Sequence, residues 1–170
     1  MPALRSRFMP HALSCLLGLG ALSSALAASA DPFVDQLAVA GAAEIQASQT
    51  VLTKTQFDDT RTLAHRLIDD HTDLNQKLVA LASQLHIAMP DAATVQAQAA
   101  KMQVAPAKGE SVDAAFATEQ VKAHEGAVKL FQNEIATATI PELKLFAQTN
   151  LAMMEHHLKM ANRLLKTHRK

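Results

Sequence analysis

The feature that most constrains the fold is the scarcity of helix-breaking residues after residue 30. In that part of the chain glycine occurs only at positions 41, 109 and 126, and proline only at positions 32, 90, 106 and 141. The segments between them are rich in Ala, Leu, Gln, Lys and Glu, and they contain no Trp or Tyr. Long uninterrupted segments of this composition predict an all-α protein.

Apolar residues at spacings of three and four predict four long helices. Proline after Asp31 suits the first turn of the first helix. Asp58 or Asp59 is the expected N-cap of the second helix, and Ser111 that of the third. The fourth opens with "TIPE", residues 139–142, which has the form of a capping box. The predicted helices span residues 32–56, 59–87, 111–137 and 140–168.

The lengths of the connections predict how these helices are arranged. Short links near residue 57 and at 138–140 each join antiparallel neighbours. The segment between the second and third helices, with a short helix predicted at 91–102, is long enough to cross a bundle about 40 Å in length. We therefore predict a ferritin-like four-helix bundle at residues 31–168, with two antiparallel hairpins joined by a long crossover. An up-down-up-down bundle with a long loop is the alternative.

The first 27 residues have the layout of a secretory signal peptide. Arg5 and Arg7 form a basic region, and the apolar segment 12–26 is too short for a spanning helix. Cleavage is predicted after Ala27, with Ala30 as the alternative site. The protein is therefore expected to be periplasmic or secreted.

Cleavage would remove Cys15, the only cysteine, so the mature chain would have no disulfide and no thiolate ligand. It would also remove two of the sixteen basic residues and none of the sixteen acidic ones, leaving a net charge of −2. This balance, and the absence of a basic run, argues against nucleic acid as a partner. No second apolar segment approaches the length of a transmembrane helix.

Each apolar stripe carries one ionisable residue near its middle. Counting residues from the turns places these four groups within roughly 8 Å of one another along the bundle. A buried charge without a partner is costly, so such groups should satisfy one another or hold an ion. The four residues, one from each predicted long helix, are Glu44, His71, His124 and His157.

Three imidazoles and a carboxylate suit a single transition-metal ion such as Zn, Cu, Fe or Ni. The alternative is a non-enzymatic structural or interaction module, in which the same layer is only a buried polar network that sets the helix register. An enzyme using the layer for acid–base or redox chemistry is a third, less favoured hypothesis. The dinuclear ferritin pattern requires Glu-x-x-His, but Ile68 and Met154 stand three residues before His71 and His157.

Other polar residues on these helices are weaker candidates than these four. His156 is expected at the surface, with His157 facing inward. Asp70 and Glu125 neighbour the inward histidines and are either orienting partners or, the favoured interpretation, solvated surface residues. The remaining histidines after residue 30 are expected at the surface, at helix ends or in the fraying C-terminal tail, and they are His65, His86 and His168.

Four segments resemble the secreted bacterial domain-of-unknown-function family 4142, which has a ferritin-like helical bundle. The resemblance implies that the four residues of the layer fall on recurring polar positions of that family, with His157 preferred over His156. This chain departs from the family in having Leu151-Ala152 where Leu-Pro is usual, and in lacking an aromatic hydroxyl near the start of the third helix. The segments are "FVDQLAVAGAAEIQAS" (33–48), "LAHRLIDDHTDLNQKLVALA" (63–82), "VKAHEGAVKLFQNEI" (121–135) and "PELKLFAQTNLAMMEHHLKMA" (141–161).

Overall fold

A computed structural model describes residues 29–169 of the chain. These residues form an all-α helical bundle, as predicted, apart from one short pairing of extended segments. The predicted signal peptide, residues 1–27, lies outside the described residues. The elements are β1 (Ser29–Ala30), α1 (Pro32–Leu52), α2 (Asp58–Gln84), β2 (Ile87–Ala88), α3 (Ala92–Lys101), α4 (Val112–Thr137) and α5 (Pro141–His168).

Two of the four predicted helix starts have a side-chain cap, and of these Ser111 is the one predicted. The Asp31 carboxylate accepts hydrogen bonds from the first free backbone N–H groups of α1, and the Ser111 hydroxyl accepts one from α4 at 3.1 Å. The other two predictions were wrong. Phe57 and Ile140 are the N-cap residues of α2 and α5, and neither makes a side-chain capping bond. Both helices nevertheless carry acidic residues in their first turn, which complements the helix dipole.

Two helices end earlier than predicted because residues beyond them have other partners. After α1, the Thr55 hydroxyl is buried and donates to Asp113 Oδ1 at 2.5 Å. After α2, residues 87 and 88 pair in parallel with residues 29 and 30. These contacts connect segments more than fifty residues apart, so the apolar periodicity of a single helix carries no sign of them.

Contacts between helix ends establish the topology. The end of α1 contacts the start of α4 through Thr55 and Asp113, so these helices are antiparallel. The start of α2 contacts the end of α5, where His168 Nε2 lies 3.0 Å from Asp59 Oδ2. Consequently α2 and α4 begin at the same end of the bundle, and the chain between them runs back along it. The structure thus has two antiparallel hairpins and a long crossover, not the up-down-up-down alternative.

The crossover packs along α1. Its helix α3 places Ala99 in a small cluster with Ala42 and Ala43 of α1. Beyond α3, the Gln103 side-chain amide donates to the Ala43 carbonyl at 3.1 Å. The C-terminal tail is also held in place, since the His168 side chain is only 7% exposed and its ring stacks edge-on against Phe57. The expectation of a fraying tail at His168 was therefore wrong.

The core has two apolar clusters that occupy the two ends of the bundle. One is built around the aromatic pair Phe33 and Phe131, and the other around Phe116. Polar side chains in the middle of the helices separate the clusters. The buried polar residues at this level are Glu44, Ser48, His71, Gln120, His124 and His157.

None of the helices within residues 29–169 combines the length and the apolar character that a membrane crossing requires.

Candidate metal centre

Three of the four predicted site residues come together in the middle of the bundle. His71 of α2, His124 of α4 and His157 of α5 are all nearly inaccessible, with 3%, 1% and 0% of their surface exposed. Their ring centroids lie 5.2 to 5.6 Å apart. One ring nitrogen from each residue lies within 4.8 Å of the other two. His156 is exposed, which confirms that His157 is the histidine of that pair that faces the core.

A backbone contact fixes the orientation of the His124 ring. Its Nδ1 lies 2.9 Å from the Gln120 carbonyl oxygen, one turn earlier in α4. A carbonyl oxygen can only accept, so Nδ1 carries the proton and the neutral ring has its lone pair on Nε2. That Nε2 atom faces the Nε2 atom of His71 at 3.5 Å. His124 therefore directs its lone pair into the cluster, towards His71.

A carboxylate fixes the His157 ring in the same way. Its Nε2 donates to Asp70 Oδ2 at 2.9 Å, a contact between α5 and α2. Nδ1 then carries the lone pair, and this atom is buried without a hydrogen-bond partner. A carboxylate behind an imidazole is the usual support of a metal-bound histidine, because it sets the tautomer and makes the ring more basic. The sequence favoured a solvated surface role for Asp70, but the structure gives it this orienting contact.

His71 is the least constrained of the three. Its Nε2 is the atom that faces His124, and its Nδ1 is buried without a partner. Neither nitrogen is held by a group outside the cluster among the described residues. The position of the ring therefore depends on packing between its two histidine neighbours.

The inside of the histidine cluster has fewer N–H donors than nitrogen lone pairs. Three neutral imidazoles carry three protons, of which two are donated outward to the Gln120 carbonyl and to Asp70. One proton, on His71, remains to be shared among the free nitrogens of all three rings. The interior of the cluster is thus rich in lone pairs and poor in donors, which is the arrangement that accepts a cation.

Protonation of the rings would supply further N–H donors, but burial makes the charged form of each ring unfavourable. Burial, with repulsion from the neighbouring rings, lowers the pKa of His71 from 6.5 to about 3. Burial likewise lowers the pKa of His124 to about 4, although its backbone hydrogen bond acts in the opposite direction. The pKa of His157 is also lowered by burial, against the opposing effect of Asp70. All three rings are consequently neutral at pH 7, which is the form that binds metals.

Asp70 in turn is stabilised as an anion. Its partial burial would raise its pKa, but the contacts with His157 and Arg66 outweigh this effect and the net pKa is lowered. The Arg66 guanidinium lies one turn earlier on α2, at 2.5 Å from Oδ2. Asp70 is therefore ionised at neutral pH and able to accept the His157 proton.

Glu44 is buried, as predicted, but its carboxylate is not among the atoms that converge. Its Oε2 atom has no hydrogen-bond partner in the part of the chain that the structure describes. Burial raises the pKa of Glu44 from 4.5 to about 7, with an opposing contribution from the Gln120 side chain. A part for Glu44 in metal binding stays a prediction, whereas the histidine cluster is formed without it.

The structure adds two residues to the layer that the sequence analysis did not single out. Gln120 precedes His124 by four positions and Asn75 follows His71 by four, so each shares a helix face with a site histidine. Both have a side-chain oxygen that is buried without a partner. Their spacing from the histidines was the available signal. Glu125, in contrast, is exposed and is not part of the buried polar layer.

These observations define a class of protein: an all-α bundle of two helical hairpins with three buried, neutral histidines at its centre. A model of a family described as a domain of unknown function, DUF4142, matches residues 20–164. The chain belongs to this family, which confirms the resemblance inferred from the sequence. No curated protein and no solved structure matches the chain.

Proposed function

We propose that this protein binds one transition-metal ion through His71, His124 and His157. The observation that carries the proposal is the direction of the outer hydrogen bonds. The Gln120 carbonyl and the Asp70 carboxylate each accept a hydrogen bond from one ring N–H group, which leaves the lone pairs of the neutral rings on His124 Nε2 and His157 Nδ1, in the buried middle of the bundle. The residues present therefore fit a cation.

The donor set limits the choice of ion. Three neutral imidazoles suit Zn, Cu, Fe or Ni, and they offer neither the oxygen ligands of Mg or Ca nor a thiolate. Three protein ligands leave one position of a tetrahedral ion free for a further ligand. Among the described residues no carboxylate joins the three histidines, so a dinuclear carboxylate centre is not part of the proposal.

Metal analysis of protein purified without an affinity tag tests the proposal. We expect about one equivalent of a transition metal per chain, or its uptake by chelator-treated protein. A ligand present at 100 times its Kd adds about 2.7 kcal/mol to the stability of the folded state, so the bound ion should raise Tm. The His71→Ala variant should lose both effects. If Zn, Cu, Fe and Ni all leave the Tm unchanged, the proposal is wrong.

A second candidate is a structural or interaction module in which the layer is only a polar network. The observation that favours it is His71, since no group outside the cluster within residues 29–169 orients its ring as Asp70 orients His157. In this case ordered water would supply the missing donors, and the layer would set the register of the helices. Metal uptake distinguishes the two candidates.

The cellular setting is also part of the proposal. A signal peptide over residues 1–27 would deliver the bundle, which we regard as ferritin-like, to the periplasm or the medium. The motivation is the basic and apolar layout of that segment. N-terminal sequencing of protein recovered from a periplasmic extract tests this, and an intact Met1 terminus would contradict it.

A further inference from the structure

A groove of about 980 Å³ lies beside the polar layer, between α1, α4 and the crossover. This volume falls in the range of small-molecule sites, which is about 300–1,000 Å³. One wall is formed by α1 and another by α4, and Met102, Val104 and Pro106 of the crossover lie along the edge. The three site histidines do not line it.

Small residues on the facing helices keep the groove open. Ala40, Ala43 and Ala47 recur along α1, and Ala123 and Gly126 lie opposite on α4. Larger side chains at these positions would fill the space. At Gly126 a Cβ atom would meet nothing within 4 Å. The groove is therefore a consequence of the sequence pattern on two helices.

Two polar side chains that line the groove each have one oxygen without a hydrogen-bond partner among the described residues. Glu44 is 8% exposed and Gln120 is 1% exposed, and both line the groove. Glu44 Oε2 and Gln120 Oε1 are each buried without a hydrogen bond. Both atoms are acceptors, and a buried acceptor without a donor costs about 1–3 kcal/mol. A ligand group with several N–H donors and a positive charge would satisfy both.

The groove is lined by apolar residues and by charged residues of both signs. Apolar side chains, including Val51, Phe116 and Leu130, supply contact area for a hydrocarbon body. Charged residues of both signs also line the groove, so they give no strong preference for either sign of ligand. The lining basic residues are Lys54, Lys101 and Lys122, and the lining acidic residues other than Glu44 are Asp35 and Glu119.

We infer that this groove binds a small amphiphile with a primary ammonium head, which the Glu44 carboxylate and the Gln120 side-chain oxygen hold, while the alanine-lined walls contact its apolar body. This site is distinct from the histidine cluster, and the inference does not rest on metal binding.

Three probes of equal chain length test the preference for the head group. Octylammonium, octanoate and octanol are titrated calorimetrically into the full mature chain with EDTA present, below their micelle concentrations. The titration is run at about pH 8.5, where Glu44, with its pKa of about 7, is ionised. We expect octylammonium to bind at least about tenfold more tightly than either other probe, the ratio that one well-placed charged contact supplies. Equal binding of octanoate, or no binding of octylammonium, would overturn the inference.

Variants locate the site and separate charge from shape. Glu44→Gln should weaken octylammonium binding at least about tenfold and leave octanol binding unchanged, since only the charge is removed. Glu125→Gln is the matched control, because Glu125 lies on α4 in an exposed position and does not line the groove. If both variants behave alike, the assignment of the head group to Glu44 is wrong.

Filling the groove gives a second, independent readout. Gly126→Leu places a side chain into open space and should abolish binding of octylammonium while the Tm is maintained. In ¹³C-methyl NMR spectra octylammonium should shift the Met102 signal, which lies at the groove, and not that of Met154, which is fully buried in the apolar core. Binding that survives Gly126→Leu would place the ligand elsewhere and overturn the inference.

Discussion

Asp70 Oδ2 accepts a hydrogen bond from His157 Nε2 at 2.9 Å, and this bond joins α2 to α5 across 87 positions of sequence. Asp70 stands next to His71 in the chain, yet it supports the histidine of a different helix. One helical turn thus contributes a ring to the cluster and the carboxylate that orients a second ring. The contact makes α2 the organising element of the proposed metal centre.

Removal of that carboxylate should weaken metal binding. In Asp70→Ala the His157 proton is free to move to Nδ1, the atom that would otherwise offer its lone pair. Loss of such an orienting partner typically costs about 10- to 100-fold in metal affinity, and we expect a fall of that size. Competition with a chromophoric chelator for Zn²⁺ measures it.

The control for this variant is Asp73→Ala, which removes a carboxylate from the same helix. Asp73 is exposed and pairs only with Lys77, one turn later, among the described residues. It should leave metal affinity unchanged. An Asp70→Ala protein that binds Zn²⁺ as tightly as the Asp73→Ala protein would show that Asp70 does not support the site.

The metal-free protein should lose stability on acidification. The pKa values of His71 and His124 are lowered from 6.5 to about 3 and about 4 in the folded state. The unfolded chain therefore takes up protons below about pH 6.5 that the folded chain refuses, and stability falls as the pH decreases towards 4. Urea unfolding in EDTA between about pH 5 and pH 8 checks this. A stability that stays flat over this range would contradict it.

Glu44 should reduce this loss of stability, because its pKa is raised in the folded state whereas the pKa values of the histidines are lowered. Its folded pKa is raised from 4.5 to about 7, so the folded state holds a proton that the unfolded state releases above 4.5. Its contribution is fully present below pH 4.5 and is lost as the pH rises through 7. Glu44→Gln removes that contribution, and we expect its stability to fall more steeply between pH 7 and pH 5 than that of the unmodified chain. An identical slope would argue that the carboxylate is ionised throughout.

The sequence was sufficient to predict the long helices and the convergence of three of the four candidate residues, for a physical reason. Periodicity of 3.6 residues fixes which residues face inward on each helix, and distance from a turn fixes the height of a residue. Those two quantities place His71, His124 and His157 at one level. They also distinguish His157 from its neighbour His156, since adjacent residues lie about 100° apart around a helix.

Contacts that depend on the rotation of one helix against another could not be predicted from the periodicity or from the distance to a turn. Asp70 of α2 reaches His157 of α5. Glu44 of α1 lines the groove and does not join the three histidines. The ends of α1 and α2 depend on Thr55 and on the pairing of residues 87–88 with 29–30. These are long-range relationships that no local pattern contains.

Replacement of the whole layer by apolar residues should separate its role in binding from its role in folding. With Leu at the three histidines and Met at Glu44, the four ionisable side chains disappear together and no buried ionisable group of the layer is left without its partners, while the Ser48, Asn75 and Gln120 oxygens stay as they are in the unmodified chain. Such replacements are often neutral or stabilising by about 1–4 kcal/mol. We expect the metal-free variant to be at least as stable as the unmodified chain in urea, with no stabilisation by metal. A large loss of stability would instead assign the layer to the specification of the fold.

The Thr55–Asp113 hydrogen bond should contribute measurably to stability. Both residues are buried, and the bond fastens the end of α1 to the start of α4 at 2.5 Å. Thr55→Val keeps the shape but leaves the Asp113 carboxylate without this donor, which should cost about 1–3 kcal/mol. Thr53→Val, at an exposed position nearby, should change stability by less than about 0.5 kcal/mol. Equal effects in urea unfolding would contradict this assignment.

Two helical glycines should respond in opposite directions to the same substitution. Alanine in place of glycine favours a helix by about 0.8–1.0 kcal/mol, and Gly126→Ala should show most of this gain because its Cβ meets nothing within 4 Å. At Gly41 a Cβ atom would overlap with Asn75 Oδ1, so the Asn75 side chain must move within the buried layer. Gly41→Ala should therefore lower the stability, and adding Asn75→Ala should recover part of the loss by removing the clash. Thermal unfolding of the three variants measures this, and a gain in Tm for Gly41→Ala alone would show that Asn75 gives way at no cost.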